Sequence, residues 1–186
     1  MTIHRLSRRH LIGAGAALAA TSLAGCAGLS GGPSIGRVVV VGGGCGGATA
    51  ARYLKMWGGN VDVTLVERNA SFVSCPISNL VLGGHRQMAD ITRGYDGLKA
   101  LGVKVVQGEV TAIDAGAKKV RLAGGGELAY DRLVVSPGID FMAGEVGGLQ
   151  AALDSGRIQH SWKAGPQTLA LRRQIEAMPD GGVFAL

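Results

Sequence analysis

Aromatic side chains make up only 4% of this 186-residue sequence and charged ones 17%, with 5 prolines and 3 cysteines. A chain so poor in charge yet 47% apolar is not disordered, because it has ample apolar surface to bury. The cysteine spacings offer no metal site and no C-x-x-C-H for a c-type haem. A long apolar run is missing as well. Gly13 to Gly25 is too short, and too rich in alanine and glycine, to span a bilayer as a helix. The 32 glycines follow no three-residue period, which excludes a collagen-like fibre. The net charge is +6, but residues 1–36 hold Arg5, Arg8 and Arg9 and no acid. The remainder carries sixteen basic against thirteen acidic residues, spread singly and without a basic stripe. Nucleic acid is therefore not an expected partner.

Those arginines have an address. Ser7-Arg8-Arg9-His10-Leu11-Ile12 before a weakly apolar core resembles a twin-arginine export signal over residues 1–27, placing the mature protein in the periplasm. Leu23-Ala24-Gly25-Cys26 resembles a lipobox, in which an acylated Cys26 becomes the mature N-terminus. Ordinary cleavage after Ala24 or Ala27 is the alternative, and membrane contact is expected only if Cys26 is lipidated. Residues 28–36, rich in glycine, form a flexible tether.

The chemistry begins at Arg37. A β-branched run to Val41 leads into Gly42-Gly43-Gly44-Cys45-Gly46-Gly47, and small or apolar residues at Ala48, Ala51, Leu54 and Trp57 recur at helical spacing. Gly42, Gly44 and Gly47 fit G-x-G-x-x-G. The first permits a tight turn, the second lets backbone approach a pyrophosphate, and the third lets helix pack on strand. The anion would then sit at the helix N-terminus. A second strand, Val61 to Val66, ends in Glu67, twenty residues past Gly47, where an acid bonds the adenosine ribose. Strand, turn, helix, strand and acid in register point to dinucleotide binding.

Beyond Glu67, residues 68–86 read as a loop and Met88 to Leu101 as a helix. Short strands follow at Val103–Gln107, Glu109–Asp114, Lys118–Leu122 and Glu127–Tyr130, separated by glycines as in a β-meander. A buried strand, Arg132 to Val135, runs into Ser136-Pro137-Gly138. This order resembles the FAD domain of the glutathione-reductase-like disulfide oxidoreductases, with Tyr130 to Gly138 similar to their second FAD signature, including Gly138. The resemblance implies an α/β, Rossmann-like FAD-binding domain with a β-meander insertion over residues 37–180. It also implies FAD rather than NAD. The last residues, 181–186, resemble the entry into a second dinucleotide-like domain, so the FAD domain is expected to be incomplete.

The loop Ser71-Phe72-Val73-Ser74-Cys75-Pro76-Ile77-Ser78-Asn79 carries a narrower likeness. With Gly83-Gly84, Gly94-Tyr95-Asp96-Gly97-Leu98 and Trp162-Lys163-Ala164-Gly165-Pro166-Gln167-Thr168, it resembles the flavoprotein subunits of flavocytochrome c sulfide dehydrogenases. In that family a cysteine matching Cys75 carries FAD through an 8α-S-cysteinyl thioether. Pro76 would hold Cys75 away from helical torsions. A structural cysteine, or a Cys45–Cys75 disulfide that leaves no thiol for the flavin, are the other readings. The resemblance further implies sulfide as substrate, electron transfer through FAD to a c-type cytochrome subunit, and a redox disulfide supplied from outside these 186 residues. The catalytic thiols thus have no counterpart in this sequence. Related sulfide:quinone or NADH:quinone reductases are one alternative, and a flavin-binding remnant without turnover is another.

Cys45, in the glycine turn, departs from the family pattern, as do the residues beside Cys75. His85 and His160 lack partners at metal-ligand spacing and read as surface or core histidines. Lys163 faces either flavin or solvent. Gln167 to Met178 reads as a packed connecting helix with a basic edge at Arg172-Arg173.

Overall fold

A computed structural model describes residues 33–183. The segment 1–27 with Cys26, tether residues 28–32 and residues 184–186 lie outside the described residues. Strand β1, Gly36–Val41, starts one residue before the β-branched run. Its four consecutive valines, Val38 to Val41, are all at or below 9% exposure. Successive strand side chains face opposite ways, so such a run demands cover on both faces.

The sheet topology supplies that cover. β1 pairs in parallel with β2 (Val61–Glu67) and β9 (Arg132–Val135), and β2 pairs in parallel with β5 (Lys104–Gln107). The order is β5-β2-β1-β9. On one face Val38, Val40, Val63 and Leu65 pack under helices α1 (Cys45–Trp57) and α3 (Asp96–Ala100) through Ala51, Tyr95 and Leu98. On the other, Val39, Val41 and Val66 meet Val120 and Tyr130. Val120 belongs to the antiparallel meander β6 (Val110–Asp114), β7 (Lys119–Leu122) and β8 (Glu127–Ala129). At roughly 1.5–3 kcal/mol for each fully buried aliphatic side chain, this two-sided core is what holds the strand ends in place.

Three stretches differ from the sequence reading. Val103–Gln107, read with the meander strands, supplies β5 of the parallel sheet instead, paired with β2, so the meander has three strands. Residues 68–86 are not all loop: Phe72–Val73 forms β3, and Asn79–Leu82 forms the short helix α2. Residues 88–101 are not one helix. They divide into a 3-10 turn at Met88–Ile91, strand β4 at Thr92–Arg93 paired antiparallel with β3, and α3. The apolar spacing that suggested a helix is real, since Ile91, Tyr95 and Leu98 are all buried. Gly94 and Gly97 weaken helix propensity there, and the β3–β4 pairing captures the middle of the segment. Trp57 also leaves the expected apolar face. It is 74% exposed and stacks on Tyr53 with ring centroids 4.3 Å apart.

A short 3-10 turn at Ala143–Glu145, helix α4 (Leu149–Asp154) and helix α5 (Pro166–Glu176) follow. Proline opens α5, where its missing N–H costs nothing. The buried Thr168 hydroxyl accepts a bond from Gly165 N at 3.1 Å. α5 packs on α2, and its basic edge includes an Arg172–Glu176 pair at 2.7 Å. Residues 181–183 are turn and irregular chain.

One ion pair ties the entrances of β1 and β9. Asp131 accepts from Arg37 N at 2.7 Å and from Arg37 Nε and Nη2 at 3.1 Å each. Bonding to the Arg37 side chain, then to its backbone, holds the Asp131 carboxyl down at about 2.

Candidate dinucleotide cradle

The glycines of the turn have three different jobs. Gly42 has φ +97°, and a Cβ there would overlap the Ser136 carbonyl oxygen and come within 3.2 Å of Pro137 Cα. The loop after β1 therefore rests directly on the loop after β9. A Cβ at Gly47 would overlap the Gly42 carbonyl oxygen and sit 3.3 Å from Val40, so this glycine sets the closeness of α1 to β1. Gly44 is different. It has φ −71°, and a Cβ would meet nothing nearer than Phe72 Cε2 at 3.9 Å. The protein does not need glycine there for its own packing; the open side is room for a ligand.

Gly44 caps α1 without a side-chain hydrogen bond, and the first intrahelical bond runs from Ala48 N to Gly44 O at 2.9 Å. The amides of Cys45, Gly46 and Gly47 thus have no intrahelical acceptor, and the helix dipole adds positive potential at the same spot. Together with the open face of Gly44, free N–H donors and positive potential form a place that can receive an anionic group.

Glu67, at the end of β2, does more than the spacing suggested. Its Oε2 accepts from Gly43 N at 2.7 Å, while its Oε1 accepts from Asn69 N at 2.8 Å and from Asn69 Nδ2 at 2.9 Å. A carboxylate has about four lone-pair sites, so about one remains for a ribose hydroxyl. On the opposite side, the Tyr95 hydroxyl donates to Gly43 O at 3.1 Å. Burial first, then the Glu67 charge, push the Tyr95 phenol up to about 12, so it stays a donor. Gly43 is held from both ends of its peptide. Asn69, Tyr95 and Ser136 are the residues that sequence reasoning missed. Tyr95 and Ser136 stood within the family-like motifs without an assigned role, whereas Asn69 carried no signal.

Cys75 lies in the loop after β3 and is an exposed free thiol, its Sγ 4.0 Å from Val73 O. The loop is anchored by buried Ser78, whose amide and hydroxyl both donate to Cys75 O, at 3.1 and 2.7 Å. Cys45, the first residue of α1, is likewise exposed and free, so no Cys45–Cys75 disulfide is present. Gly138 has φ +80° with nothing within 4 Å of a would-be Cβ, a left-handed turn just beyond β9. The structure brings Gly42, Gly44, Gly47 and Glu67 together at the strand ends. Gly138 follows two residues after the Ser136 carbonyl that Gly42 touches.

The remaining candidates are accounted for. Lys163 pairs with Asp140 at 2.8 Å on the surface. His85 is exposed; His160 is half-buried against Phe141, and burial, then Lys163, lower its pKa. No group of residues fit to hold a metal occurs among the described residues, and no helix among them is long and apolar enough to cross a membrane.

A parallel sheet passing through a glycine turn into α1, with an acid ending the second strand and a meander on the far face, defines a Rossmann-type dinucleotide-binding domain. The chain belongs to the pyridine nucleotide-disulphide oxidoreductase family, which it matches over residues 36–168. It is 58% identical over 45 residues to the sulfide dehydrogenase (flavocytochrome c) flavoprotein chain of Chlorobaculum thiosulfatiphilum, covering 24% of this chain and 94% of that sequence. It is 37% identical over 106 residues to ferroptosis suppressor protein 1 of Taeniopygia guttata, covering 56% and 27% respectively. The sulfide:quinone oxidoreductase of Aquifex aeolicus shares the fold with a TM-score of 0.63 at 23% identity, over 75% of this chain and 31% of that one. The chain thus spans about a third or less of these longer relatives.

Proposed function

We propose that this chain is the FAD-binding part of a sulfide-oxidising flavoprotein that delivers electrons to a c-type cytochrome in the periplasm. The observation that carries the reading is the 58% identity to a sulfide dehydrogenase flavoprotein, in a chain whose Cys75 is an exposed, free thiol. Export rests on Arg8-Arg9 and the short apolar run behind them.

The residues fit the cofactor. The amides of Cys45, Gly46 and Gly47 hold the pyrophosphate, with Gly44 leaving room for it, and Glu67 offers its remaining lone pair to the adenosine ribose. Gly138 lets the chain after β9 turn beside the cofactor without a side chain in the way. Bound FAD supplies a two-electron acceptor able to release electrons singly. Cys75 would carry it through a thioether, the S–C bond replacing the thiol S–H and one flavin methyl C–H with the flavin itself taking up the two electrons, and this link would keep the cofactor from being lost outside the cytoplasm. The thiols that meet sulfide come from the remainder of a longer flavoprotein. Tyr95 and Asn69 act on the protein alone, fixing the Gly43 peptide and the Glu67 carboxylate that face the cofactor.

The test is acid precipitation of the flavin-loaded protein with intact-mass measurement. Retained yellow colour and a mass raised by one FAD are expected, with both lost in Cys75→Ser. Complete release of flavin from the unmodified chain would refute the covalent link, and failure to bind flavin at all would refute the cofactor. For the whole flavoprotein, sulfide-dependent reduction of cytochrome c supports the acceptor proposed here; reduction of quinone alone assigns it to the sulfide:quinone class instead.

A further inference from the structure

Beside the glycine turn, on the flank of α1, lies a groove of about 450 Å³. Small-molecule sites usually measure about 300–1,000 Å³, with apolar walls and a few placed polar groups. This groove has both. Ala48, Phe72, Leu98 and Leu101 form its apolar lining, and the two cationic residues Arg52 of α1 and Arg93 of β4 also line it.

Neither arginine is neutralised. No ion pair among the described residues involves Arg52 or Arg93. The Arg52 Nε reaches only the Met56 sulfur at 3.5 Å, and Arg93 Nη1 donates to the neighbouring Thr92 O at 2.7 Å. Each guanidinium has five N–H donors in a planar fork, so most remain free, in the geometry that suits a carboxylate or sulfonate. Every other residue named in the lining is uncharged; the Glu67 carboxylate acts on Tyr95 at the turn side of the groove, which favours the Arg52 and Arg93 side for an anionic head group.

We propose that the groove binds a small amphipathic anion, its apolar body against Phe72, Leu98 and Leu101 and its carboxylate or sulfonate held by Arg52 and Arg93. The site is separate from the space proposed for the pyrophosphate. Where the groove meets the turn, the Tyr95 hydroxyl is bonded to Gly43 O and fills the space on that side of Gly43. The proposal stands on the groove alone and does not depend on which flavin chemistry the cradle serves.

The full chain, supplied with saturating FAD so that the cradle is not a competing site, is titrated with the fluorescent probe 8-anilinonaphthalene-1-sulfonate. Saturable binding is expected, weakened about tenfold or more for each arginine lost in Arg52→Gln and Arg93→Gln, as befits charge-assisted hydrogen bonds. Decanoate should displace the probe and decanol should not. Gly97 also lines the groove, and a Cβ there would meet nothing within 4 Å. The backbone at Gly97 thus accepts a side chain, and Gly97→Phe, which adds a ring at the groove lining, should abolish binding while leaving the far-ultraviolet circular dichroism unchanged. Unchanged probe affinity in Arg52→Gln/Arg93→Gln, or equal displacement by decanol, overturns the proposal. If Gly97→Phe fails to fold, the arginine variants and the competition decide it.

Discussion

Alanine placed at each of the three fingerprint glycines should separate packing from ligand space. At Gly42 the new side chain would have to adopt φ +97° and overlap the Ser136 carbonyl, where β1 and β9 deliver their loops against one another. Backbone strain of this kind costs about 1–3 kcal/mol, before any displacement of residues 136–137. For a protein of this size each kcal/mol lowers the melting temperature by roughly 2–4 °C. Gly47→Ala meets the Gly42 carbonyl and should destabilise similarly by pushing α1 off the sheet. Gly44→Ala should behave oppositely. Its φ of −71° suits any residue, and its nearest neighbour would be 3.9 Å away. Stability should hold or rise by about 0.4–1 kcal/mol, because alanine restricts the unfolded chain. Its methyl nevertheless enters the space proposed above for the pyrophosphate. Losing one charge-assisted hydrogen bond there costs about 1.5–3 kcal/mol, or roughly 10- to 100-fold in FAD affinity. Thermal melts without FAD and flavin fluorescence titrations measure the two effects. The reasoning fails if Gly44→Ala melts as low as Gly42→Ala, or if it binds FAD like the unmodified chain.

Three further predictions concern the groups around that space. Tyr95→Phe leaves the Gly43 carbonyl without its donor and should cost about 1–3 kcal/mol; in alkaline titrations the difference in phenolate absorbance from the unmodified chain should develop only near pH 12, and ionisation near pH 10 would contradict the burial argument. Glu67→Gln replaces an acceptor of three N–H bonds by a group that also donates, so both melting temperature and FAD affinity should fall, whereas Asn69→Ala should lower them less; equal effects would mean that the Asn69 amide, not the Glu67 charge, controls the site. The Asp131 carboxyl has its pKa depressed in the folded state, so its contribution is present above the unfolded value of about 4 and is lost as pH falls towards 2. The stability gap between Asp131→Asn and the unmodified chain should therefore close over that window, and a gap that persists at pH 2 would rule out ionisation as its cause.

The dinucleotide turn was readable because its constraints are local. A β-branched run, glycines at fixed offsets and an acid at the end of the next strand each reflect backbone geometry within a single β-α-β unit. Three of the four meander strands were readable for a similar reason, with glycines punctuating them, but Val103–Gln107 was grouped with them wrongly, because its pairing with distant β2 leaves no local mark. The segment 88–101 misled because its apolar spacing satisfies a helix while its middle is claimed by pairing with Phe72–Val73, a partner some twenty residues away. Trp57 misled in the opposite sense: helical spacing put it on the apolar face, but the helix runs past the edge of what covers it.

By itself the sequence determined the parts whose physics is short-ranged: which glycine must turn, which must let a helix approach, and which acid ends the second strand. How those parts share work emerges from the assembled sheet. It showed that Gly42 is required as much by Ser136, more than ninety residues away, as by the turn itself. It showed that Glu67 braces the glycine turn before it meets any ribose. It also left Gly44 as the one fingerprint glycine kept open for a ligand. Spacing along a chain records torsional needs, whereas a carbonyl or a hydroxyl arriving from a distant strand acts only once the sheet has assembled.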